Sequence, residues 1–417
     1  MKTATREASK PTLTPASTPI QMFDLELSRG IRSLAANGYA SSRILCKAHG
    51  RPLGWVNLNH APDELIPAGR IRTAVRQQLS DELLAYGMNE AVQPELAPSA
   101  EFPAISVVVC TRDRTTSLKV CLASLLALDY PHFEILVVDN APATPDTAGL
   151  CASLPVRYVR EDRPGLNRAR NRGITEARFP VVAFMDDDAQ ADPAWLKSLA
   201  RNFCDPTVSA VTGMVIPSEL ETPAQALFEL AFGGMSHGIK TRRITRHSLD
   251  DRKLLWASNF GVGTNMAFRK EIFSQTGPFD PALDVGTASG GGGDVELLHR
   301  LVAAGHILVY DPSVLVRHRH RPEMSALQRQ VYNNGRSFGC YLFTCWRNRT
   351  AGRWAIIQFM LKDWLAGWLI RRLVRPGQFP YRLVVAEFGG ALASPFAYLA
   401  SQRNARHARS MLAAGQA

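Results

Sequence analysis

The chain has 417 residues, of which 46% are hydrophobic and 20% are charged, and its formal net charge is +11. This composition is ordinary for a globular protein and excludes collagen-like, low-complexity and fully disordered chains. The seven cysteines include no Cys-x-x-Cys pair and are odd in number, which excludes a fully paired disulfide framework and predicts reduced thiols in the cytoplasm.

The N-terminal part of the chain contains no chemical motif. Residues 1–21 are rich in Thr, Ser and Pro and lack an apolar signal region, so we predict a disordered tail and no secretory signal. Residues 22–97 are predicted to form a small α+β domain, with strands at Ser42–Ala48 and Leu53–Leu58 around the turn sequence "HGRP". A helix is predicted from Ala68 to Tyr86, and the stretch "AVQPELAPSAEFPA" that follows is typical of a linker.

The pattern changes at Ile105, where buried strands begin to alternate with helical segments. The runs "ISVVVC", "FEILVVDN", "VRYVRED" and "VVAFM" have strand length, and helical spacing separates them. This alternation predicts an α/β fold with a mostly parallel central sheet. Ligands of such sheets bind beyond the carboxyl ends of the strands, which is where Asp139 and the range Asp186–Asp188 occur.

Three consecutive carboxylates, Asp186, Asp187 and Asp188, follow the fourth strand. Like charges this close destabilise one another unless water, a helix N-terminus or a cation compensates. In an extended chain Asp186 and Asp188 converge while Asp187 points elsewhere. Two converging carboxylates suit a hard divalent cation, Mg²⁺ or Mn²⁺, that would bind a diphosphate. The alternative is turn chemistry, which needs only one aspartate.

Several ordered blocks between Ile105 and Leu342 resemble the family 2 glycosyltransferases. "VVVCTRDR" resembles the opening strand and nucleotide loop, "ILVVDN" the second strand, "GLNRARNRGI" the Ala-Arg-Asn-x-Gly block and "FMDDD" the Asp-x-Asp motif. "GVGTNMAFRKEIFSQTGPFD" resembles the acceptor-side block, and "GGDVELLHRLVAAGH" the block that carries the catalytic base. The resemblance implies a GT-A-type nucleotide-sugar-binding domain over residues 103–345.

The resemblance also assigns roles to the residues that match the family's blocks. The donor-binding residues it implies are Thr111, Arg114, Asp139, Arg170, Asn171, Asp186 and Asp187. The metal ligands it implies are Asp188, Asp186 and His318, for a divalent Mn²⁺ or Mg²⁺ cofactor. Two alternatives stay open: Arg170 as part of a solvated helix face, and His318 as a surface histidine among arginines.

One residue is predicted to act as the general base. Asp294 follows a run of four glycines and opens an apolar-periodic helix, so an N-cap role is the alternative. The resemblance favours the base, and one base without a nucleophile implies direct displacement with inversion. Family members often carry an acid directly before this position, where this chain has Gly293, and Glu296 is interpreted as structural.

Residues 346–417 are predicted to form a helical C-terminal region. Its two long apolar stretches are interrupted by charged residues, glycine and proline, so neither is a convincing transmembrane helix. Trp354, Trp364 and Trp368 beside basic residues suit an interfacial helix on a membrane, with packing against the catalytic domain as the alternative. Residues 312–382 contain thirteen Lys or Arg against two acidic residues, which adds an anionic membrane surface to the expected partners.

The sequence thus predicts an inverting glycosyltransferase that moves one sugar from a nucleotide-diphosphate-sugar to a sugar or lipid-linked acceptor. The expected setting is cell-surface polysaccharide or glycolipid assembly, in the cytoplasm or peripherally on the cytoplasmic face of the inner membrane. Motifs for nucleic-acid binding are not found in the sequence, and nor is the Gln-x-x-Arg-Trp signature of processive synthases. The alternatives are a nucleotidyltransferase and a catalytically inactive sugar-nucleotide-binding protein.

Overall fold

The structure, a computed structural model, describes residues 13–90, 102–374 and 379–414. The chain divides into two compact units, each made of more than one segment. The first unit comprises Met1–Ser99, Pro217–Gly234 and His320–Met324, and the second comprises Ala100–Ile216, Met235–Arg319 and Ser325–Ala417. The predicted linker lies largely outside the described residues.

The described residues form fourteen strands. In chain order they are β1 (Gln21–Glu26), β2 (Leu34–Ala35), β3 (Ser41–Ala48), β4 (Arg51–Asn59), β5 (Leu65–Ile66), β6 (Ile105–Thr111), β7 (Phe133–Asn140), β8 (Arg157–Glu161), β9 (Val181–Asp186), β10 (Ala189–Ala191), β11 (Val208–Pro217), β12 (Arg242–Ile244), β13 (Asn265–Arg269) and β14 (Ile307–His318).

Fourteen α-helices accompany them, again among the described residues. They are α1 (Ala68–Gln78), α2 (Ser80–Glu90), α3 (Thr115–Leu126), α4 (Asp146–Ala152), α5 (Leu166–Glu176), α6 (Trp195–Phe203), α7 (Pro223–Ala226), α8 (Asp251–Leu254), α9 (Ile272–Thr276), α10 (Gly293–Ala303), α11 (Met324–Asn348), α12 (Arg353–Gln358), α13 (Arg371–Leu373) and α14 (Tyr381–Ala414). Two π-helical segments, Leu227–Phe232 and Phe359–Ile370, continue α7 and α12.

The first unit contains a three-stranded sheet in the order β1-β3-β4, against which α1 packs. The helix predicted over residues 68–86 is two helices, because the chain leaves helical geometry at Leu79. The Leu79 side chain is buried and fits directly against Gly54 of β4, where any side chain would collide with it. The gain from burying an apolar side chain therefore outweighs continuity of the helix.

The predicted disordered tail is wrong for residues 13–21. Leu13 and Ile20 are buried in a small apolar cluster with Leu220 and Ala226, and a backbone hydrogen bond joins Ile20 to Leu220. These contacts are long-range, so the local Thr, Ser and Pro content could not reveal them. Residues 1–12 lie outside the described residues.

The second unit is built on a nine-stranded sheet in the order β10-β14-β11-β13-β9-β6-β7-β8, with β12 beside β14. The α/β fold class predicted from the sequence is therefore confirmed. Strands β8, β7, β6 and β9 are parallel, as predicted, but β13 pairs with β9 antiparallel, and β11, β12 and β10 also join antiparallel neighbours. The sheet is therefore mixed, with its parallel part at β8, β7, β6 and β9.

The register of the parallel strands positions the polar residues that follow them. Thr111 at the end of β6 lies opposite Asp139 of β7, and Cys110 lies opposite Asp186 of β9. Strands β6, β7 and β9 are largely apolar and buried, with α3 and α6 among the elements of the core. The carboxyl edge thus gathers polar side chains at one rim of an apolar sheet.

The C-terminal region is helical, as predicted, and belongs to the second unit. Among the described residues, one helical stretch, Tyr381–Ala405, is long and apolar enough to cross a membrane by length and composition alone. The buried share of its most apolar window is 44%, and a core helix of a water-soluble protein has the same properties.

Candidate active site

The aspartates at the end of β9 are hydrogen-bonded to Thr111 and Arg114, which lie at and just after the end of β6. Asp186 is the last residue of the strand, and Asp187 and Asp188 turn toward β10. The Thr111 hydroxyl donates to Asp187 Oδ2 at 2.7 Å, and Arg114 donates to Asp187 Oδ1 at 2.6 Å and to Asp188 Oδ2 at 2.6 Å. The Asp187 carboxylate thus binds both Thr111 and Arg114, and it shares the Arg114 guanidinium with Asp188; its expected contact with a donor stays a prediction.

The electrostatics of the two turn carboxylates differ although they are adjacent. Burial raises the pKa of Asp187 to about 6, against the opposing effects of Arg114 and Thr111. Burial acts in the same direction on Asp188, but His318 and Arg114 outweigh it and hold the pKa of Asp188 below its ordinary value. Asp188 therefore stays ionised to a lower pH than Asp187 does.

A candidate metal centre is formed by Asp186, Asp188 and His318. One ligand atom from each side chain lies within 4.8 Å of the others, and His318 Nε2 is 3.2 Å from Asp188 Oδ1. The antiparallel pairing of β10 with β14 places His318 opposite Ala189, beside the aspartates. Two carboxylate oxygens and one imidazole nitrogen fit a divalent cation such as Mn²⁺.

Two side chains from other elements hold Asp186 in place. The Thr264 hydroxyl donates to Asp186 Oδ2 at 2.6 Å, and Arg170 Nη2 lies 3.7 Å from Asp186 Oδ1. Arg170 is buried and its guanidinium lies 5.4 Å from the Phe279 ring centroid. The interpretation of Arg170 as a solvated helix face is therefore wrong, because the side chain points to the site.

Asp294 contacts the same segment that holds Asp186 in place. Its Oδ2 accepts a hydrogen bond from the Gly263 N–H at 2.8 Å, and Gly263 precedes Thr264, which binds Asp186. The helix N-cap is Gly292, so the alternative of an N-cap role for Asp294 is wrong. Asp294 is the second residue of α10 and is partly exposed.

The departure of this chain from the family pattern has a steric reason. A side chain at Gly293 would collide with the Asn167 amide and the Leu283 carbonyl. Glu296, two residues after Asp294, makes a bidentate ion pair with Arg300 at 2.9 Å, which supports its interpretation as structural. The packing around α10 therefore leaves Asp294 as the acid presented at the start of the helix.

Asp139 lies near the end of β7, at the carboxyl edge of the sheet. It is fully buried, and the Tyr158 hydroxyl donates to its Oδ2 at 3.0 Å. Its Oδ1 has no hydrogen-bond partner within residues 13–90, 102–374 and 379–414. Burial raises the pKa of Asp139 above its ordinary value. An acceptor oxygen that is buried without a partner suits a ligand that brings a donor group.

One predicted site residue is engaged elsewhere. The Asn171 amide donates to the Phe279 carbonyl at 2.9 Å and accepts from the Phe279 N–H at 2.9 Å. This pair fixes the backbone of the Phe279 loop, and the expected contact of Asn171 with a donor stays a prediction.

Sequence reasoning missed three residues that support the site. Asn167 Nδ2 donates to the carbonyls of Asp280 and Leu283, and the Asn167 N–H donates to Asp284 Oδ2 at 2.9 Å. Burial raises the pKa of Asp284 to about 6. Thr264 lies in a quoted block, but nothing in its local pattern indicates a bond to Asp186. All three contacts join segments roughly a hundred residues apart.

The helix of Asp294 is anchored by a buried histidine. His299 Nδ1 lies 2.8 Å from the Tyr341 hydroxyl on α11, and Nε2 lies 2.9 Å from Thr350 Oγ1. Burial lowers the pKa of His299 to about 4. Because the unfolded histidine titrates near 6.5, the unfolded chain binds more protons below that pH, and stability is lost as the pH falls from about 6.5 toward 4.

We expect this group alone to remove about 2 kcal/mol of stability between pH 7 and pH 5. His299→Gln should be less stable at pH 7, because it loses packing and one hydrogen bond, yet should lose less on acidification. Thermal melting at both pH values measures the difference, with the exposed His247→Gln as the control. Equal acid sensitivity of His299→Gln and the wild type would contradict the assignment.

The sheet edge thus gathers a buried carboxylate, a carboxylate–histidine cluster and basic side chains, an arrangement that is complementary to an anionic ligand with a bound cation. Residues 106–277 match the family model described as glycosyl transferase family 2. This match agrees with the resemblance to the family 2 glycosyltransferases that the sequence blocks indicate.

Relatives of known name are also glycosyltransferases. The chain is 28% identical over 281 residues to a pre-mycofactocin glycosyltransferase of Mycobacterium tuberculosis, covering 66% of this chain and 55% of that protein. It is 26% identical over 184 residues to a glucosyl-dolichyl phosphate glucuronosyltransferase of Haloferax volcanii, covering 42% and 56%. The chain thus spans about half the length of these relatives.

One solved structure that aligns with this chain is a mannosyltransferase of Pyrobaculum calidifontis in complex with GDP-mannose and Mn²⁺. The identity is 17%, the TM-score is 0.42, and the alignment covers 82% of this chain and 89% of that one.

Proposed function

We propose that this protein is an inverting glycosyltransferase that moves one sugar from a nucleotide-diphosphate-sugar to an acceptor hydroxyl. The proposal rests on a continuous series of hydrogen bonds that links the proposed base to the candidate metal centre. Asp294 is hydrogen-bonded to Gly263, and the next residue, Thr264, is hydrogen-bonded to Asp186 of the candidate metal centre. A proton acceptor is thus fixed to the same segment that orients the diphosphate-binding group.

The donor is proposed to lie along the carboxyl edge of the sheet. Asp139, with its unpartnered Oδ1, would accept a hydrogen bond from the nucleoside. Arg114 and Arg170 supply positive charge next to the diphosphate, where negative charge develops as the bond to the sugar breaks. Thr111, Asp187 and Asn171 act by positioning these groups.

Asp186, Asp188 and His318 would hold a divalent Mn²⁺ or Mg²⁺ cofactor. Such a cation, when bound, supplies Lewis-acid stabilisation of the leaving diphosphate. The Arg114 guanidinium, 2.6 Å from Asp188 Oδ2, favours the anionic form of this ligand. These residues fit the cation because their ligand atoms already converge within 4.8 Å.

The transfer step is a single displacement. The acceptor oxygen forms a bond to the anomeric carbon on the face opposite the leaving group, and the bond from that carbon to the diphosphate oxygen breaks. Asp294 receives the hydroxyl proton, and the electron pair leaves with the nucleoside diphosphate. Inversion follows because the anomeric carbon is attacked once.

The two alternative functions, a nucleotidyltransferase and an inactive binding protein, predict products that differ from those of a glycosyltransferase. A nucleotidyltransferase would release pyrophosphate, whereas a glycosyltransferase releases a nucleoside diphosphate. A catalytically inactive binding protein would show neither, and its sequence support, the missing acid before Asp294, is explained by the packing of Gly293. The fixed Asp294 contact therefore favours an active transferase.

We further propose a cytoplasmic enzyme that acts peripherally at an anionic membrane surface, in cell-surface polysaccharide or glycolipid assembly. All seven cysteines are free, which suits a reducing compartment. The basic segment 312–382 would bind anionic vesicles with an affinity that falls as salt rises. Equal binding to neutral and anionic vesicles at every salt concentration would contradict this part.

The proposal is tested by a nucleotide-sugar screen. The intact protein is incubated with Mn²⁺ and each common nucleotide-sugar, and protection against thermal unfolding is measured, followed by nucleoside diphosphate release. We expect one sugar-nucleotide to raise the melting temperature and to be consumed, since a ligand that binds only the folded state stabilises it. Pyrophosphate release, or protection without turnover in the presence of varied acceptors, would contradict the proposal.

A further inference from the structure

An apolar groove lies where α11, the π-helix Phe359–Ile370 and α14 meet. Its volume is about 420 Å³, within the range of small-molecule sites. The lining is aliphatic and aromatic except for Ser394, whose hydroxyl already donates to the Ala391 carbonyl, and the indole nitrogens. The lining includes Phe338, Phe343, Trp346, Met360 and Leu392.

The rim of this groove exposes apolar side chains to solvent. Met360 is 41% exposed and Leu392 is 62% exposed, although both line the groove. Leu361, Phe396 and Leu399 nearby in sequence are also exposed. Helices of water-soluble proteins rarely leave so many large apolar residues in contact with water, so this surface is expected to meet an apolar ligand or phase.

The groove approaches the loop that carries Asp294. A Cβ built on Gly290 would lie 2.6 Å from Arg336 Nη2, and one built on Gly292 would lie 3.1 Å from the Ser337 carbonyl oxygen. The glycine run therefore packs directly on α11. Arg336 and the groove residues Gly339 and Phe343 follow an i, i+3, i+7 spacing, which places them on one face of the helix.

The Arg336 guanidinium has hydrogen-bonding capacity to spare. Its Nη2 donates to Asn333 Oδ1 at 2.9 Å, and its carbon lies 5.6 Å from the Tyr332 ring centroid. Its Nε is buried and has no hydrogen-bond partner in the described part of the chain. A cation with an unpartnered donor, one helical turn before the groove residue Gly339, is complementary to an anionic headgroup on a hydrocarbon chain.

We propose that the groove binds the hydrocarbon chain of a lipid-linked acceptor. The hydrocarbon chain of the lipid lies along α11 from Phe338 to Trp346, about 12 Å of helix. The phosphate of the lipid contacts Arg336. The sugar attached to that phosphate presents its hydroxyl to Asp294. This inference rests on the proposed function and adds the acceptor class to it. The acceptor is therefore a single-chain lipid phosphate bearing a sugar.

Charge argues against a second copy of this chain as the occupant. Arg353 lies over the Trp346 ring at 5.2 Å, so cations flank the groove at both ends. A twofold interface would bring identical basic patches together, which costs energy. An anionic amphiphile gains from the same charges.

The first experiment uses farnesyl phosphate below its micelle concentration, with binding to the intact protein measured by calorimetry. The double variant Met360→Ser/Leu392→Ser removes apolar contacts in the groove. The matched control Leu361→Ser/Leu399→Ser changes two equally exposed residues on the same helices that do not line it. We expect Kd to rise about tenfold or more in the groove variant and less than about twofold in the control.

The second experiment tests the headgroup contact. The wild type should bind farnesyl phosphate more tightly than farnesol, and Arg336→Gln should abolish that preference while leaving farnesol affinity unchanged. A retained preference in Arg336→Gln would overturn the role of Arg336. Equal effects of the groove and control variants, or a dimer in solution that the groove variant converts to monomer without lipid binding, would overturn the groove.

Donor binding separates this inference from the proposed function. The groove variant should still be protected by the nucleotide-sugar, because the groove does not include the carboxyl edge of the sheet. A wild type that transfers sugar but does not bind farnesyl phosphate overturns the lipid groove alone. A wild type that binds farnesyl phosphate but neither binds nor consumes any nucleotide-sugar overturns the proposed function and leaves the groove as a lipid site.

Discussion

Asp188→Ala is expected to abolish metal-dependent donor binding. The substitution removes the anionic ligand shared by His318 and Arg114, so the candidate centre keeps only Asp186 and His318. Donor affinity in the presence of Mn²⁺ should fall by about 100-fold, equivalent to about 2.7 kcal/mol. Sugar transfer should fall by about 10³-fold, because the leaving diphosphate loses its electrostatic stabilisation.

Asp192→Asn is the matched control for this experiment. Asp192 belongs to the same acidic stretch, but its carboxylate accepts from the Ala194 N–H and lies near Arg317, away from the three converging ligands. Asparagine can still accept the backbone hydrogen bond, so donor affinity and its response to Mn²⁺ should be unchanged. Titration of Mn²⁺ against donor affinity, by thermal protection, compares the variants.

The melting temperature measured without donor shows whether a loss of donor binding reflects the missing ligand or unfolding of the protein. Asp188→Ala loses two ion pairs but also relieves repulsion from Asp186 and Asp187, so the folded protein should remain stable. Full transfer activity in wild-type protein treated with a chelator would show that the centre is not a metal site. In that case Arg114 and Arg170 alone would carry the diphosphate charge.

Much of the site was predictable because parallel strands end at one edge. The order of strands in the sequence is enough to bring Asp139 and Asp186 to the same rim, and the register confirms that Thr111 lies beside them. His318 required the family resemblance, since its approach to Asp188 depends on β14 pairing antiparallel with β10. Local pattern alone does not determine that pairing.

The parts that sequence reasoning missed depend on contacts between distant segments. Thr264 binds Asp186 only because β13 is antiparallel to β9, a pairing that the expectation of a mostly parallel sheet did not include. Asn171 was assigned to the donor from a motif, yet its amide matches the backbone of Phe279, about a hundred residues later. A motif identifies residues that matter and leaves their individual contacts undetermined.

The same limit explains the errors outside the site. Leu13 and Ile20 are ordered by a cluster that includes Leu220, and the helix before Gly87 is broken by the contact of Leu79 with Gly54. In each case tertiary burial of an apolar side chain outweighs a local preference. Composition and periodicity describe the local preference only.

Asp294→Asn is expected to slow the chemical step by roughly 10²–10⁴-fold, the usual worth of a positioned general base. The amide is nearly isosteric, and its oxygen can still accept the hydrogen bond from the Gly263 N–H. Donor binding and melting temperature should therefore change little, apart from a few tenths of a kcal/mol for a lost charge in the first turn of α10.

Glu296→Gln is the matched control on the same helix. Glu296 is buried and pairs with Arg300 through both carboxylate oxygens, so the variant should lower the melting temperature while transfer stays near the wild-type rate. The two variants thus predict opposite signatures, one in turnover and one in stability. Single-turnover transfer under saturating donor and acceptor, together with thermal melting, measures both.

The rate of the chemical step distinguishes a base from an anchor. If Asp294 accepts the acceptor proton, Asp294→Asn slows transfer while donor binding is kept. If Asp294 only fixes Gly263, the amide keeps that contact and both proteins transfer at similar rates. Retention of most of the transfer rate by Asp294→Asn would overturn the single-base mechanism. Glu296 could not then replace it, because its carboxylate is committed to Arg300, and the proton would have to leave through the acceptor or solvent.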